Sequence, residues 1–378
     1  MRTFISDKER AVTGRTLRLG ACAAALIAAT LAGGCSNPAG TGSTTPAAYT
    51  TYLYMTDTTN GRVYTFNPST HVGSSTSLIN TSSAAGEVEF YKGIGYVAVG
   101  YNSGAGVYYF DPSSSAPSAK LIGGSAGLDA EYFAFYSPTL AYVSVVGTGD
   151  TGGIYTFNPS SPSSGFTQVA ATGANKYLQE IIIGPDQMIY VAENYDKAVL
   201  RINPTNYSNV TTVATSEQGP TGLVSGTYNG LPGVFVANTG TNYLSGAATP
   251  GSIDFIAAGS STATTVTANS IYPARLIQLP NGSLIATGYD NSYTPHTYLV
   301  TLSGTNASVS EIRAGTTSFG SFSIAYNSSS GLIYVPNNIY GTSNQLYVFD
   351  ASGNQQSYSP VSVMTSSDNI ANVAFYQD

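Results

Sequence analysis

The 378-residue chain has no tryptophan, two histidines, two cysteines and only 9% charged residues. A coiled coil or helical bundle would be rich in Glu, Lys, Arg and Leu, so the shortage of charge argues against both. The 13 basic residues are outnumbered by 20 acidic ones, which excludes the basic footprint of a nucleic-acid binder. The longest apolar run, Ala21 to Ala32, falls short of the roughly 20 residues that a membrane-spanning helix needs. What is present in quantity is Gly (41), Pro (18) and Tyr (29). Val, Ile, Leu, Phe and Tyr recur in short clusters separated by Gly, Asn, Ser and Pro. That pattern belongs to many short strands rather than to disorder.

Residues 1–34 read as an address. Arg2, Lys8, Arg10, Arg15 and Arg18 precede the apolar run, and Gly33 and Gly34 follow it, as in a cleaved signal peptide. The sequence LAGGCS around Cys35 resembles the lipobox of bacterial lipoproteins, with Ala32 where that family prefers a larger aliphatic residue. The resemblance implies lipidation of Cys35, a palmitate-type anchor, and a tether over residues 35–50. By likeness to Gram-negative lipoproteins, Ser36 after the cysteine implies the outer membrane. A plain secretory signal cut near Ala32 is the alternative. Cys22 leaves with the signal, so no internal disulfide is possible. Removing five basic and two acidic residues from the 13 and 20 leaves 8 and 18. Such an acidic mature chain disfavours nucleic acid as a partner.

Self-comparison divides the rest. VYTFNPST at Val63, VYYFDPSS at Val107, IYTFNPSS at Ile154 and VLRINPTN at Val199 are one element, with weaker copies at Ile253, Leu299 and Leu346. Their fourth positions are Phe66, Phe110, Phe157, Ile202, Ile256, Leu302 and Phe349, which recur at 44 to 54 residues. A second series, such as YVAV at Tyr96 and YVSV at Tyr142, runs one strand upstream. Two more strand-like pieces complete each unit. Four strands per repeat of this length predict an all-β, seven-bladed propeller over residues 51–378. The chain starts without the first strand of its own blade and ends with a spare one, Ile370 to Tyr376. That spare strand is expected to close the ring as the innermost strand of the first blade.

YVAENYDKAVLRINP at Tyr190 and VFVANTGTNYLSGAATPGSIDFI at Val234 resemble the YVTN-type repeat of bacterial and archaeal surface propellers, and are similar to NHL-like and quinoprotein-like repeats. The resemblance implies the fold over residues 52–376 and leaves activity open. Propellers serve both as binding modules and as enzymes.

The catalytic inventory is thin. His71 and His296 have no partner at ligand spacing, so zinc is not expected. GYNSGAGVY at Gly100 and GTGDTGG at Gly147 join strands and lack the helix that a phosphate site needs. Asp57, Asp150, Asp196, Asp254 and Asp290 offer oxygen ligands of the kind Ca²⁺ takes, but with no DxDxDG loop they read as solvated loop carboxylates. Tyr91, Tyr101, Tyr195, Tyr243, Tyr289 and Tyr293 fall in or near polar loops, where an exposed ring suits protein or glycan recognition and partial burial under neighbouring loops is the alternative.

Aligning the innermost strands on their apolar ends places Glu87, Tyr132, Glu180, Thr221, Arg275, Phe322 and Asn372 at one level, expected to line the central channel. Carboxylates enclosed there need Arg275, a cation or water. By resemblance to calcium-dependent propeller lactonases, Glu87, Glu180 and Asn372 are the candidate ligands of a Ca²⁺ ion; a structural pair between a Glu and Arg275 is the alternative. Two functions follow. One is a lipid-anchored, non-enzymatic module that recognises a protein or glycan through rim loops. The other is a lactonase-like hydrolase or lyase with a metal in the channel.

Overall fold

The computed structural model describes residues 48–81, 84–100, 104–147, 152–171, 176–243, 245–246, 249–290, 292, 294–314, 323–339, 343–365 and 367–376. These form seven antiparallel sheets. Blade 2 comprises Ala85–Tyr91, Ile94–Val99, Gly106–Phe110 and Lys120–Leu121. Blade 3 comprises Asp129–Ser137, Leu140–Val146, Gly153–Phe157 and Phe166–Ala171. Blade 4 runs from Leu178–Ile183 to Asn206–Ala214, blade 5 from Pro220–Tyr228 to Thr264–Ile271, and blade 6 from Arg275–Gln278 to Asn306–Ala314. Blade 7 runs from Ala325–Asn327 to Val361–Ser362. The chain is a seven-bladed β-propeller.

Blade 1 is assembled from both ends of the chain. Its inner strand is Ile370–Phe375, which pairs with Leu53–Asp57; Arg62–Asn67 and the short Val72–Gly73 and Ile79–Asn80 lie outside them. The spare strand read from the repeats therefore closes the ring.

Strand alternation explains how the blades adhere. Successive side chains point to opposite faces, so a strand buried on both faces feeds two interfaces. On Leu53–Asp57, Leu53 and Met55 pack toward blade 7 while Tyr54 packs toward blade 2. The same division gives one apolar cluster between every consecutive pair of blades, and that between blades 7 and 1 is as dense as the rest. The Phe66, Phe110, Phe157 and Phe349 ladder lies in four of these clusters, each ring at most 3% exposed.

Inner strands of five blades carry a β-bulge near their start. In blade 2, Gly86 and Glu87 face the single residue Ala98; in blade 4, Gln179 and Glu180 face Ala192; in blade 1, Ala371 and Asn372 face Thr56. A bulge bends its strand and re-aims a side chain. The third position of the YVAV-type motif stays small where it faces the bulge: Thr56, Ala98, Ser144, Ala192 and Ala237.

Candidate functional site: the axial channel and its mouth

An innermost strand has a free edge, and its inward N–H groups need acceptors. Side chains from the preceding blade supply them. The Val88 N–H of blade 2 donates to Asn372 Oδ1 of blade 1 at 3.3 Å. Phe133 N–H of blade 3 donates to Glu87 Oε2 at 2.8 Å, and Leu223 N–H of blade 5 donates to Glu180 Oε2 at 2.7 Å. Val373 N–H of blade 1 donates to Ser323 Oγ of blade 7 at 2.9 Å. The donor in each case lies one residue after the next blade's own member of the level. Among the described residues, a partial girdle of these side-chain-to-backbone bonds thus joins four of the seven pairs of neighbouring blades, 7 to 1, 1 to 2, 2 to 3 and 4 to 5.

The register places Glu87, Tyr132, Glu180, Arg275 and Asn372 at equivalent positions, all at most 2% exposed. In blade 5 the equivalent is Gly222, opposite Ala237. Thr221 sits one residue earlier inside the bulge and donates to Ala274 O of blade 6 at 3.1 Å. Phe322 lies outside the described residues; Ser323 fills the role in blade 7.

Arg275 has no acceptor to offer and does something else. Its guanidinium lies 4.3 Å above the Tyr132 ring on blade 3, 3.8 Å from Glu180 Oε2 on blade 4, and donates to Ala274 O at 2.9 Å. Blades 3 and 6 are not neighbours, so this contact crosses the axis and fills the channel at that height. Among the described residues, no three His, Cys, Asp or Glu side chains converge on a point that could hold a metal ion.

Where the inner strands end, the channel opens into a cavity of about 1250 Å³. Its floor is apolar, with Phe90, Val224, Ile277, Ile324 and Val373, and prolines 68, 185, 232 and 280 stand around the wall. Of the polar side chains there, Ser225 and Gln278 are committed to backbone bonds, while Glu89, His71, Tyr326 and Asn327 also line the wall. Ser225 Oγ donates to Ile183 O at 3.2 Å, while Gln278 donates to Thr227 O and Gly282 O and accepts from Thr227 N–H. Thr50 and Thr51 are on the rim, so the N-terminal part of the chain reaches the propeller on this face.

The opposite face is tied down. Tyr177 stacks on Tyr195 and meets Tyr243 edge-on, both with centroids 5.3 Å apart. Asn194 and Asn242 lace the loops of blades 4 and 5 together through Thr241 O, Tyr195 O and Tyr243 N. Beneath them Glu193 is fully buried and accepts three backbone N–H bonds, and burial pushes its carboxyl up. Tyr91 stacks on Phe135 at 4.7 Å, and Tyr289 is 8% exposed. Of the two readings of these loop tyrosines, packing on neighbours is the one that Tyr91, Tyr195, Tyr243 and Tyr289 follow; Tyr101, Tyr293, Asp150 and Cys35 lie outside the described residues.

Two loop aspartates expected in solvent are fully buried. Asp254 accepts from Ser216 and Asn238 inside blade 5. Asp57 meets Asp368 at the ring seam. Asp57 accepts the N–H groups of Thr59, Asn60 and Asn369, and Asp368 accepts from Asn60, Tyr64 and Thr365. Burial first, and the Asp368 carboxylate with it, pushes Asp57 up to about 6, against the pull of its backbone N–H partners. Burial also acts on Asp368, but its hydrogen bonds from Thr365 and its neighbours bring it below the usual range. Once Asp57 is protonated, below about pH 6, its proton is shared with Asp368 across the seam. Among histidines, His71 stacks on Tyr358 at 3.6 Å, and His296 sits between Asp290 and Glu311, one on each ring nitrogen. Those two carboxylates lie on opposite sides of the ring.

No protein-family model and no curated protein matches the chain. Solved structures do. A candidate 6-phosphogluconolactonase from Bacteroides fragilis superposes with a TM-score of 0.62 at 15% identity, covering 88% of this chain and 100% of that one. A protein from Lactobacillus plantarum gives 0.60 at 15% identity, covering 86% and 99%. A dihydro-haem d1 dehydrogenase gives 0.54 at 11% identity, covering 86% and 75%. At these identities the likeness is one of fold.

Proposed function

We propose that this chain is a lipid-anchored envelope protein whose propeller binds a protruding segment of a partner protein in the channel mouth, without catalysing a reaction. The observation that carries this reading is the mouth. A cavity of about 1250 Å³ exceeds the usual small-molecule range of roughly 300–1,000 Å³ and suits a loop or chain end. Its floor is aliphatic and aromatic and four prolines stand in its wall, with Ser225 and Gln278 spent on inter-blade bonds. Apolar side chains of a peptide match that surface better than the hydroxyls of a glycan. Anchoring at Cys35 rests on the lipobox-like sequence, and outer-membrane placement on Ser36.

The rival, a calcium-dependent hydrolase, draws on fold likeness to the Bacteroides protein. It would need Glu87, Glu180 and Asn372 as ligands, and each already accepts a backbone N–H from the next blade. The test is site-specific photocrosslinking in cells. A photoreactive residue at Thr227 or Tyr326, in the mouth, is expected to give discrete protein adducts. The same residue at Tyr195, on the opposite face, is expected to give none. Adducts from Tyr195 alone overturn the reading.

A further inference from the structure

Blade 6 carries an unusual row of polar side chains. Arg275, Thr287, Thr297 and Arg313 stand directly opposite one another on its four strands. Residues so paired share one face of a sheet. That face looks at blade 7, because Ile277, Ile285 and Leu299 of the same face join the apolar cluster with Val335 and Phe349, and the Arg313 guanidinium lies 3.8 Å above the Tyr347 ring. From blade 7, Asn337 projects on the same face as Val335.

The outer part of this interface is sealed and unbalanced. Thr287, Thr297, Asn337 and Arg313 are 1%, 0%, 3% and 9% exposed. Among the described residues, Thr287 Oγ1, Thr297 Oγ1 and Asn337 Oδ1 have no hydrogen-bond partner. Arg313 makes no ion pair with a carboxylate among the described residues, and the sequence holds no Asp or Glu from residue 312 to 349. An arginine keeps its charge in a protein, and an uncompensated buried charge is costly. Burial indeed pulls Arg313 down from the usual guanidinium range, with only Tyr347 opposing it. Orphaned buried hydroxyls add a further penalty of about 1–3 kcal/mol each unless a partner arrives.

We propose that the interface between blades 6 and 7 is a binding site for a small oxyanion that also carries a hydroxyl, the chemistry shared by hydrogen phosphate and the simple hydroxycarboxylates. Arg313 supplies the counter-charge. The Thr287 and Thr297 hydroxyls donate to the anion's oxygens, and Asn337 Oδ1 accepts from its hydroxyl.

Calorimetric titration of the mature protein with hydrogen phosphate, glycolate and sulfate at constant ionic strength tests this. Saturable binding of hydrogen phosphate, of glycolate or of both is expected, and which of them binds identifies the source. Sulfate, lacking the hydroxyl at neutral pH, is expected to bind at least severalfold more weakly. Arg313→Gln should weaken binding tenfold or more. Thr297→Val keeps the shape of the interface and should weaken binding severalfold, so it carries the test if Arg313→Gln does not fold. No saturable heat with either hydroxylated anion, or equal binding by wild type and Thr297→Val, overturns the proposal.

Discussion

Replacing Asp57 by Asn should change how the ring responds to pH far more than it changes the ring itself. Asp57 is fully buried at the seam where the two chain ends meet, and its carboxyl is raised from 3.8 to about 6. A raised carboxyl binds its proton more tightly in the folded state. Its contribution is therefore fully present below about pH 4 and is lost as pH rises through 6. About two pKa units at 1.36 kcal/mol each put that loss on the order of 3 kcal/mol. Asp368 acts in the opposite sense: its carboxyl is lowered, so its contribution is lost only as pH falls below the ordinary carboxylate range. Between pH 4.5 and 7 the seam is thus expected to weaken as pH rises. The introduced amide donates to Asp368 as the shared proton does, but it surrenders one acceptor among Thr59, Asn60 and Asn369, at about 1 kcal/mol independent of pH. Urea unfolding of both proteins across this range reads the difference directly, with other titrating groups cancelling. The Asp57→Asn variant should gain on the wild type by about 3 kcal/mol from pH 4 to 7. Parallel curves would refute the shared-proton seam.

Three further outcomes follow from the same contacts. Deleting residues 370–378 removes the buried strand of Ile370, Ala371, Asn372 and Val373 and opens the cluster between blades 7 and 1, so the sharp thermal transition should be lost; an unchanged melting curve refutes the closure. Glu180→Leu takes the carboxylate from beside the buried Arg275 and leaves the Leu223 N–H without its acceptor, which should cost about 3–5 kcal/mol in urea unfolding, whereas Glu87→Gln keeps an acceptor for Phe133 and should cost about 1 kcal/mol or less. Cys35→Ala should move the folded protein from the membrane to the soluble fraction, and retention in the membrane removes the anchor.

Much of the fold was legible because a propeller repeats its grammar. The phenylalanine ladder from Phe66 to Phe349 marks the third strands, while the inner-strand bulges facing the small residue of YVAV and YVSV appear only in the structure. The unmatched strand at Ile370 follows from counting. The level of Glu87, Tyr132, Glu180, Arg275 and Asn372 could be aligned on apolar strand ends. Blade 5 slipped by one residue because its bulge inserts Thr221 before Gly222. What those side chains do was not legible. Glu87 looks toward a channel in the sequence, yet the acceptor it provides is taken by an edge N–H on the next blade, and strand pairing patterns say nothing of such edges. Asp57 and Asp368 were equally hidden, since loop carboxylates hundreds of residues apart meet only once the ring closes.

Above all, the inner-strand carboxylates are held to bind blade to blade rather than to carry a metal. Calorimetric titration of Ca²⁺ into the wild-type protein is the most direct test. The girdle predicts no saturable heat and no change in melting temperature. Saturable Ca²⁺ binding that disappears in Glu180→Gln would contradict it, and would move the weight of evidence to the hydrolase.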